Sequence, residues 1–159
     1  MTAEDGIVIG KVDDFDGDGA AMRMVKADGH RLCVVRTSAG VFALDQACPH
    51  EGYGLTTGQL ATDTADGDVI TCAWHNWKFR VDDGRCVMGE EDVQTHRVDV
   101  AADGTMRVQL TRPDPEVQRP RLLDSLRRGI ERNFVGQVSR DVVRLLRADT
   151  NPGELIWEA

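Results

Sequence analysis

Two short segments of the chain each carry one cysteine and one histidine. Cys48 and His50 form a Cys-x-His pattern, and after twenty-one intervening residues Cys72 and His75 form a Cys-x-x-His pattern. The whole chain has four cysteines and four histidines, so these two segments hold half of each. Thiolates and imidazole nitrogens bind zinc or the iron of an iron–sulfur cluster. The sequence therefore predicts a metal centre with two sulfur and two nitrogen ligands.

The spacing of the four residues bears on which kind of centre they form. A structural zinc site usually takes a pair of cysteines from one loop and a pair of histidines or cysteines from the other. Here each segment supplies one sulfur and one nitrogen, which suits a two-iron cluster in which one iron binds both cysteines and the other both histidines. A small interaction module stabilised by zinc is the alternative interpretation.

The remaining cysteines and histidines have simpler explanations. Cys33 and Cys86 lie in apolar stretches, and we expect both to behave as small buried apolar side chains. His96 falls on the same strand face as Val98, and His30 follows a turn, so we expect structural roles for both.

Length and charge limit the class of protein. A chain of 159 residues suffices for one domain with an appendage. Residues 1–112 hold eleven Lys and Arg against nineteen Asp and Glu, and residues 113–159 hold eight of each, so the net charge of -8 belongs to the first part. This charge disfavours nucleic acid and anionic membranes as partners and favours a partner with a basic docking face. We find no membrane-spanning or signal-peptide pattern and expect a cytoplasmic protein.

The first 112 residues show the signals of an antiparallel β domain. Runs of β-prone residues flank short turns at Asp28-Gly29, Asp82–Gly84 and Asp103-Gly104. Turns of two or three residues containing Asp and Gly are typical of β-hairpins. We therefore predict a mainly β fold for residues 1–112.

The rest of the chain has a different pattern. Three prolines predict a linker without regular structure over residues 113–120. In residues 121–159 the apolar period changes to three and four residues, with a break at Gly136, which predicts two amphipathic helices. A further short helix is predicted to begin at Asn151-Pro152. We expect this α-helical extension either to fold back as a clasp or to dock on another subunit or domain. The repeating apolar positions are Leu122, Leu126, Ile130, Val138, Val142, Leu145 and Leu146.

The segments with the cysteines and histidines resemble a known family. CPHEGYGLTTGQL and VITCAWHNWKFRVDDGRC are similar to the two cluster-binding loops of Rieske-type iron–sulfur proteins, in the branch of soluble ferredoxins and oxygenase-associated proteins. The resemblance covers roughly residues 5–110. It implies that Cys48, His50, Cys72 and His75 hold a 2Fe-2S cluster. It also implies three small antiparallel sheets, with the cluster on two hairpin loops at one tip.

Residues around the loops add further expectations. Glycines 52, 54 and 58 are expected to let the backbone approach the cluster, and Trp74, Trp77 and Phe79 to shield it from water. The acidic segment ATDTADGD, residues 61–68, makes the connection between the loops longer than is usual in the family, and we expect it to protrude away from the cluster.

Two positions depart from the high-potential members of the family. Tyr53 and Trp74 stand where Rieske proteins of respiratory complexes carry extra cysteines, so a disulfide between the loops is excluded. Asn76 stands where those relatives continue with a glycine and then a serine able to donate to sulfide. The resemblance implies a reduction potential within about -150 to +300 mV, and these departures place it in the lower part.

The function implied by the resemblance is one-electron transfer. A ferredoxin-like carrier takes an electron from a reductase and passes it to an oxygenase or another redox partner, with no catalytic residues of its own. The alternative is an electron-accepting domain or subunit of a larger Rieske oxygenase. The mononuclear iron of such an oxygenase needs two histidines and a carboxylate in addition to the cluster ligands. Only His30 and His96 are spare, so catalysis would lie on another chain or on a continuation beyond Ala159.

Overall fold

The computed structural model describes residues 6–15, 21–112 and 114–147. The chain divides into two compact units between Thr111 and Arg112. Within the described residues, the first unit contains ten β-strands and the second contains two α-helices. The strands are β1 (Ile7–Lys11), β2 (Ala21–Ala27), β3 (His30–Thr37), β4 (Gly40–Asp45), β5 (Gln59–Thr64), β6 (Gly67–Thr71), β7 (Lys78–Arg80), β8 (Cys86–Met88), β9 (Thr95–Val100) and β10 (Thr105–Gln109), and the helices are α1 (Pro115–Glu131) and α2 (Val135–Arg147).

The strands form two antiparallel sheets, which confirms the predicted mainly β class. One sheet has six strands in the order β1-β10-β9-β4-β3-β2, and the other has four in the order β5-β6-β7-β8. The resemblance implied three separate sheets. Two of them are joined here because β9 pairs with both β10 and β4, the second pairing being only the short ladder Ala43↔His96 and Leu44↔Thr95.

The three predicted hairpins are confirmed. Asp28 and Gly29 connect β2 to β3, Asp82–Gly84 lies in the turn from β7 to β8, and Asp103-Gly104 lies in the turn from β9 to β10. Asp28, Gly29, Gly84 and Gly104 all have positive φ angles. Glycine adopts this conformation without steric cost and Asp tolerates it, which is why these turns could be read from the sequence.

Strand β3 is buried on both faces and separates two apolar cores. Cys33 and Val35 belong to the core that also contains residues of the four-stranded sheet, such as Phe79. Leu32 and Val34 point to the opposite face and join a second core with residues of β1 and β10. The first core also contains Cys48, Leu55 and Cys72, and it therefore supports both cysteine-bearing loops from below.

The acidic segment 61–68 is an ordered hairpin extension. It continues β5 and β6, with Thr64 paired to Gly67 and an irregularity between Ala61 and Thr64. Because its turn lies at the start of β6 and Cys72 follows the end of that strand, the extension points away from the cysteine, as predicted.

The predicted unstructured linker over residues 113–120 is wrong from residue 115 onward, where α1 begins. Asp114 caps this helix, since its carboxylate Oδ1 accepts a hydrogen bond from the backbone N–H of Glu116 at 3.0 Å. A proline in the first helical position gives up an N–H that would have no partner there in any case. Pro120 lies inside the helix and removes one backbone hydrogen bond, which a helix of 17 residues accommodates.

The two helices run antiparallel, since Gly129 lies beside Val138 and Ser125 donates a hydrogen bond to Asp141. Their small core contains Leu122, Leu126 and Leu145. The chain breaks at Asn133, whose φ of 56° ends α1, and not at Gly136, which lies inside α2. Asparagine takes this left-handed conformation more readily than most residues.

Part of the predicted apolar stripe of the helices stays exposed. The exposed apolar residues of this unit include Ile130, Val142 and Leu146, at 48%, 38% and 50%. No helix within the described parts of the chain is long and apolar enough to span a membrane. The predicted helix at Asn151-Pro152 lies outside the described residues.

Candidate metal centre

Each cysteine of the predicted site opens a tight loop with the same backbone closure. In the first loop, the N–H of Cys48 donates to the carbonyl oxygen of Tyr53 at 2.8 Å, and that of Gly52 donates back to Cys48 at 2.8 Å. In the second loop, the N–H of Cys72 donates to Trp77 at 2.8 Å, and that of Asn76 donates to Cys72 at 3.2 Å. The segments 48–53 and 72–77 are thus two copies of one turn.

The fifth residue of each turn has a left-handed backbone. Gly52 has a φ of 76° and Asn76 a φ of 59°. This conformation is open to glycine and is several-fold enriched in asparagine among other residues. Asn76 therefore fills a glycine-like position of the turn, which is the local reason that asparagine can stand there.

The two turns bring the four predicted ligands to one place. Cys48, His50, Cys72 and His75 all line the same small depression. The cysteines are buried, at 1% and 2% exposure, and neither forms a disulfide. The imidazole rings of His50 and His75 lie edge to face with their centroids 4.5 Å apart. The side chain of His75 is 41% exposed, so the histidine side of the site faces solvent.

Trp77 supports the first loop from the second. Its ring is stacked on the imidazole of His50, with 4.6 Å between centroids and 13° between planes. Phe79 is fully buried behind Trp77, with 6.4 Å between the ring centroids, and does not line the depression. Of the three predicted shielding residues, Trp74 and Trp77 therefore lie at the site and Phe79 lies in the core below it.

The sequence did not single out Glu51, which lines the same depression as the four predicted ligands. Its Oε2 accepts a hydrogen bond from Nε1 of Trp74 at 2.9 Å and lies 4.0 Å from Nδ1 of His75. One ligand atom from each of His50, Glu51 and His75 fall within 4.8 Å of one another. Trp74 also stacks on Tyr53, with 5.6 Å between centroids and 15° between planes. Glu51 belongs to no recognisable sequence pattern, so its contact with Trp74 could not be predicted from the sequence.

Two of the predicted close-approach glycines lie close to other parts of the protein. A Cβ on Gly58 would lie 2.1 Å from the carbonyl oxygen of Thr71, and one on Gly54 would lie 2.7 Å from Nε2 of Gln46. Gly58 therefore lets the first loop pack against the backbone of β6, whereas the atom beside Gly54 is the end of a flexible side chain.

The chemistry of the donor set fits an iron–sulfur cluster. Burial, and to a lesser extent the neighbouring Cys72 thiol, raises the pKa of Cys48 to about 12. The Cys48 thiol, which resists ionisation in the free protein, becomes a thiolate when a cationic metal is bound, and the buried Cys72 lies beside it as a second sulfur ligand. With two imidazoles beside them, the residues present match the two sulfur and two nitrogen ligands of a mixed cysteine and histidine cluster.

The other cysteines and histidines lie elsewhere. Cys33 is fully buried, and burial raises the pKa of its thiol to about 12, whereas Cys86 is only partly buried. His96 uses both ring nitrogens: Nδ1 accepts from the backbone N–H of Thr111 and Nε2 lies 3.1 Å from Oδ1 of Asp45. His96 is therefore held in a structural role between β4, β9 and the end of the unit. His30 is exposed at the start of β3.

An antiparallel β fold with one cysteine and one histidine on each of two adjacent turns defines the class of Rieske-like iron–sulfur proteins. The sequence profile of the Rieske [2Fe-2S] domain matches residues 5–102, which is more than half of the chain. The chain belongs to this family, whose cofactor is a 2Fe-2S cluster.

Similar proteins include both large enzymes and small ferredoxins. A segment of 59 residues is 42% identical to cholesterol 7-desaturase nvd of Xenopus laevis and covers 36% of this chain and 12% of that protein. A segment of 75 residues is 35% identical to the ferredoxin component of the alkene monooxygenase system of Xanthobacter autotrophicus, covering 46% of this chain and 56% of that one. The matched segments thus span only a part of each of these relatives.

Solved structures share the fold. The ferredoxin of carbazole 1,9a-dioxygenase from Nocardioides aromaticivorans IC177 superposes with a TM-score of 0.55 over 67% of this chain and 98% of that one, at 21% identity. The similarity in structure extends over nearly the whole of that ferredoxin.

Proposed function

We propose that Cys48, His50, Cys72 and His75 hold the 2Fe-2S cluster and that the chain is a one-electron carrier. The observation that supports this most strongly is the pair of matching turns, which presents two buried sulfurs and two adjacent imidazoles in one depression. In mixed clusters of this kind one iron takes both cysteines and the other both histidines.

When bound, the cluster would supply storage for a single electron. The protein's own residues determine which side of the site is open to a partner. The buried cysteines and the core beneath them keep water from the inner side. The exposed edge of His75 is the shortest path between the site and a docked partner. Electron transfer through this edge requires no covalent bond to be formed or broken.

The partners in this proposal are a reductase that supplies the electron and an oxygenase or other acceptor that receives it. The ferredoxin component of the alkene monooxygenase system supports this assignment, because its name gives it that place in a multicomponent system. The net charge of -8 supports a partner with a basic surface. The segment 121–159, whose described part holds most of α1 and all of α2, is a candidate docking element for a further subunit or domain.

The experiment is a reductive titration of the purified chain under anaerobic conditions, followed by mixing with oxidised cytochrome c. We expect two irons and two sulfides per chain, bleaching complete at one electron per chain, and one equivalent of cytochrome c reduced on mixing. A colourless protein containing zinc would support the interaction module. A cluster that takes up an electron but cannot release it to any acceptor would overturn the carrier function.

A second candidate is the electron-accepting domain of a larger oxidoreductase. The 42% identity to a segment of cholesterol 7-desaturase nvd favours it, since that segment is 12% of a much longer enzyme. The two functions differ in whether the chain acts in trans. A carrier restores turnover when added to a separate reductase and oxygenase, and turnover rises with its concentration. A domain does so only when covalently joined to the catalytic part.

A further inference from the structure

The two turns of the site are closed separately, and side chains of the two turns contact each other. Their internal backbone hydrogen bonds run within 48–53 and within 72–77. At the base, Trp77 of the second turn stacks on His50 of the first. At the rim, Trp74 of the second turn makes two contacts with the first, one to the ring of Tyr53 and one to the carboxylate of Glu51.

The rim contacts are not part of the apolar core. Trp74 is 56% exposed and Tyr53 is 43% exposed, and neither belongs to the cores below the loops. Their stacking and the hydrogen bond from the indole therefore contribute little to the folding of the β unit. They join the second turn to the first.

Glu51 has two possible roles in this arrangement. Its carboxylate is near both imidazoles, within the range of a third metal ligand. The same Oε2 that faces His75 already accepts the hydrogen bond from Trp74 at 2.9 Å. A carboxylate acceptor makes this a strong hydrogen bond, with a definite direction. The contact therefore assigns Glu51 to the link between the turns.

We propose that Glu51, Tyr53 and Trp74 form a non-covalent clasp that fixes the second turn against the first and so positions His75 beside His50. This inference rests on the proposed ligand site. Trp74 immediately precedes His75, so holding its ring at two points also restrains the backbone that carries the exposed imidazole. The clasp joins the turns without any disulfide. Tyr53, Trp74 and Glu51 are positioning residues, and none of them is assigned as a ligand.

The test compares variants of the cluster-loaded full chain. Trp74→Phe keeps an aromatic ring for Tyr53 and removes the indole N–H. Glu51→Ala removes the acceptor, and Glu51→Gln retains an acceptor oxygen without the charge. The readouts are the rate at which visible absorption is lost in the presence of an iron chelator and the electron paramagnetic resonance spectrum of the reduced protein. Met24→Ala, an exposed apolar residue on β2, is the control for a surface change away from the site.

The clasp predicts a shared effect. Trp74→Phe and Glu51→Ala should each accelerate cluster loss by about two- to tenfold, the factor expected for one net hydrogen bond. The double variant should lose its cluster no faster than the more affected single variant, because both changes remove the same bond. Glu51→Gln should recover most of the retention. The spectrum of the reduced protein should broaden in Trp74→Phe, since His75 is less firmly held, while Met24→Ala matches the unmodified chain.

Other outcomes overturn the clasp. If Trp74→Phe and Glu51→Ala have the same rates of cluster loss and the same spectra as the unmodified chain, the rim contacts do not position the second turn. An iron content and spectrum changed by Glu51→Gln, with independent effects of the two positions, would make Glu51 a ligand. An unmodified chain without iron and sulfide would overturn the site and the clasp together. A chain that keeps its cluster, shows the shared effect and transfers no electron would overturn the carrier function alone.

Discussion

The ring of Trp77 lies almost parallel to the imidazole of His50, with 4.6 Å between their centroids. Trp77 is itself packed against Gly89. A Cβ added to Gly89 would lie 2.5 Å from Cδ2 of Trp77 and 2.7 Å from Sγ of Cys86. The orientation of a proposed ligand in the first turn therefore depends on a glycine beyond β8, through a tryptophan of the second turn.

Gly89→Ala should disturb the metal centre at a distance. The new methyl group displaces Trp77 and thereby His50, so we expect a lower cluster content and faster cluster loss. Gly40→Ala is a matched control, because Gly40 has the same φ of 144° and its nearest neighbour would be an ordinary 3.8 Å away. Each substitution carries backbone strain of about 1–3 kcal/mol and lowers the thermal midpoint. Iron analysis and visible spectra should differ from the unmodified chain only for Gly89→Ala, and equal spectra for both variants would refute the connection.

The sequence predicted the parts of the site that rest on local rules. The Asp and Gly turns followed from backbone preferences, and the cysteines and histidines from ligand chemistry. Glu51 was missed because its role depends on Trp74, which lies on another turn. The short β4–β9 ladder was missed for the same reason, since pairing between distant segments leaves no periodic signal in either. The linker prediction gave too much weight to prolines, because a capped helix accepts proline in its first turn.

The left-handed backbone at Asn76 gives a second prediction. Asn76→Gly should keep the turn and the cluster, whereas Asn76→Ala should weaken the turn by about 1–2 kcal/mol, because alanine has a Cβ and lacks the short polar side chain that eases this conformation in asparagine. Asn133 has a similar φ of 56° between the helices and provides the control. Asn133→Ala should lower the stability of the helical unit and leave the rate of cluster loss unchanged. Equal rates of cluster loss for Asn76→Ala and the unmodified chain would contradict the role of Asn76.

The reduction potential is the third prediction. The second turn has Asn76 and Trp77 where high-potential relatives have glycine and a serine hydroxyl, and the loops carry no cysteines besides Cys48 and Cys72. Fewer hydrogen bonds to sulfide leave the added electron less stabilised. Protein-film voltammetry should give a midpoint below about 0 mV, within the lower part of the range for mixed ligation. A midpoint above about +150 mV would indicate a respiratory type of site instead.

The two compact units predict the effect of a truncation. The cores that support the loops consist entirely of residues from the first unit, and the helical unit has its own core of Leu122, Leu126 and Leu145. A chain ending at Thr111 should therefore keep its cluster and its thermal midpoint. If the helices dock on another subunit, sedimentation velocity should show a smaller assembly for the truncated chain. A clear loss of stability on truncation would instead favour the hypothesis that the helices fold back on the β unit and stabilise it.

The ligand assignment is tested most directly by iron and sulfide analysis of His75→Ala beside His30→Ala. His75 is a proposed ligand with an exposed edge, and His30 is an exposed histidine on β3. Removing one of the two nitrogen ligands should abolish most cluster incorporation, so His75→Ala should purify with little iron, sulfide or visible absorption. His30→Ala should retain the full content of two irons and two sulfides expected for a [2Fe-2S] domain. A His75→Ala protein with full iron and sulfide and an unchanged spectrum would contradict the assignment.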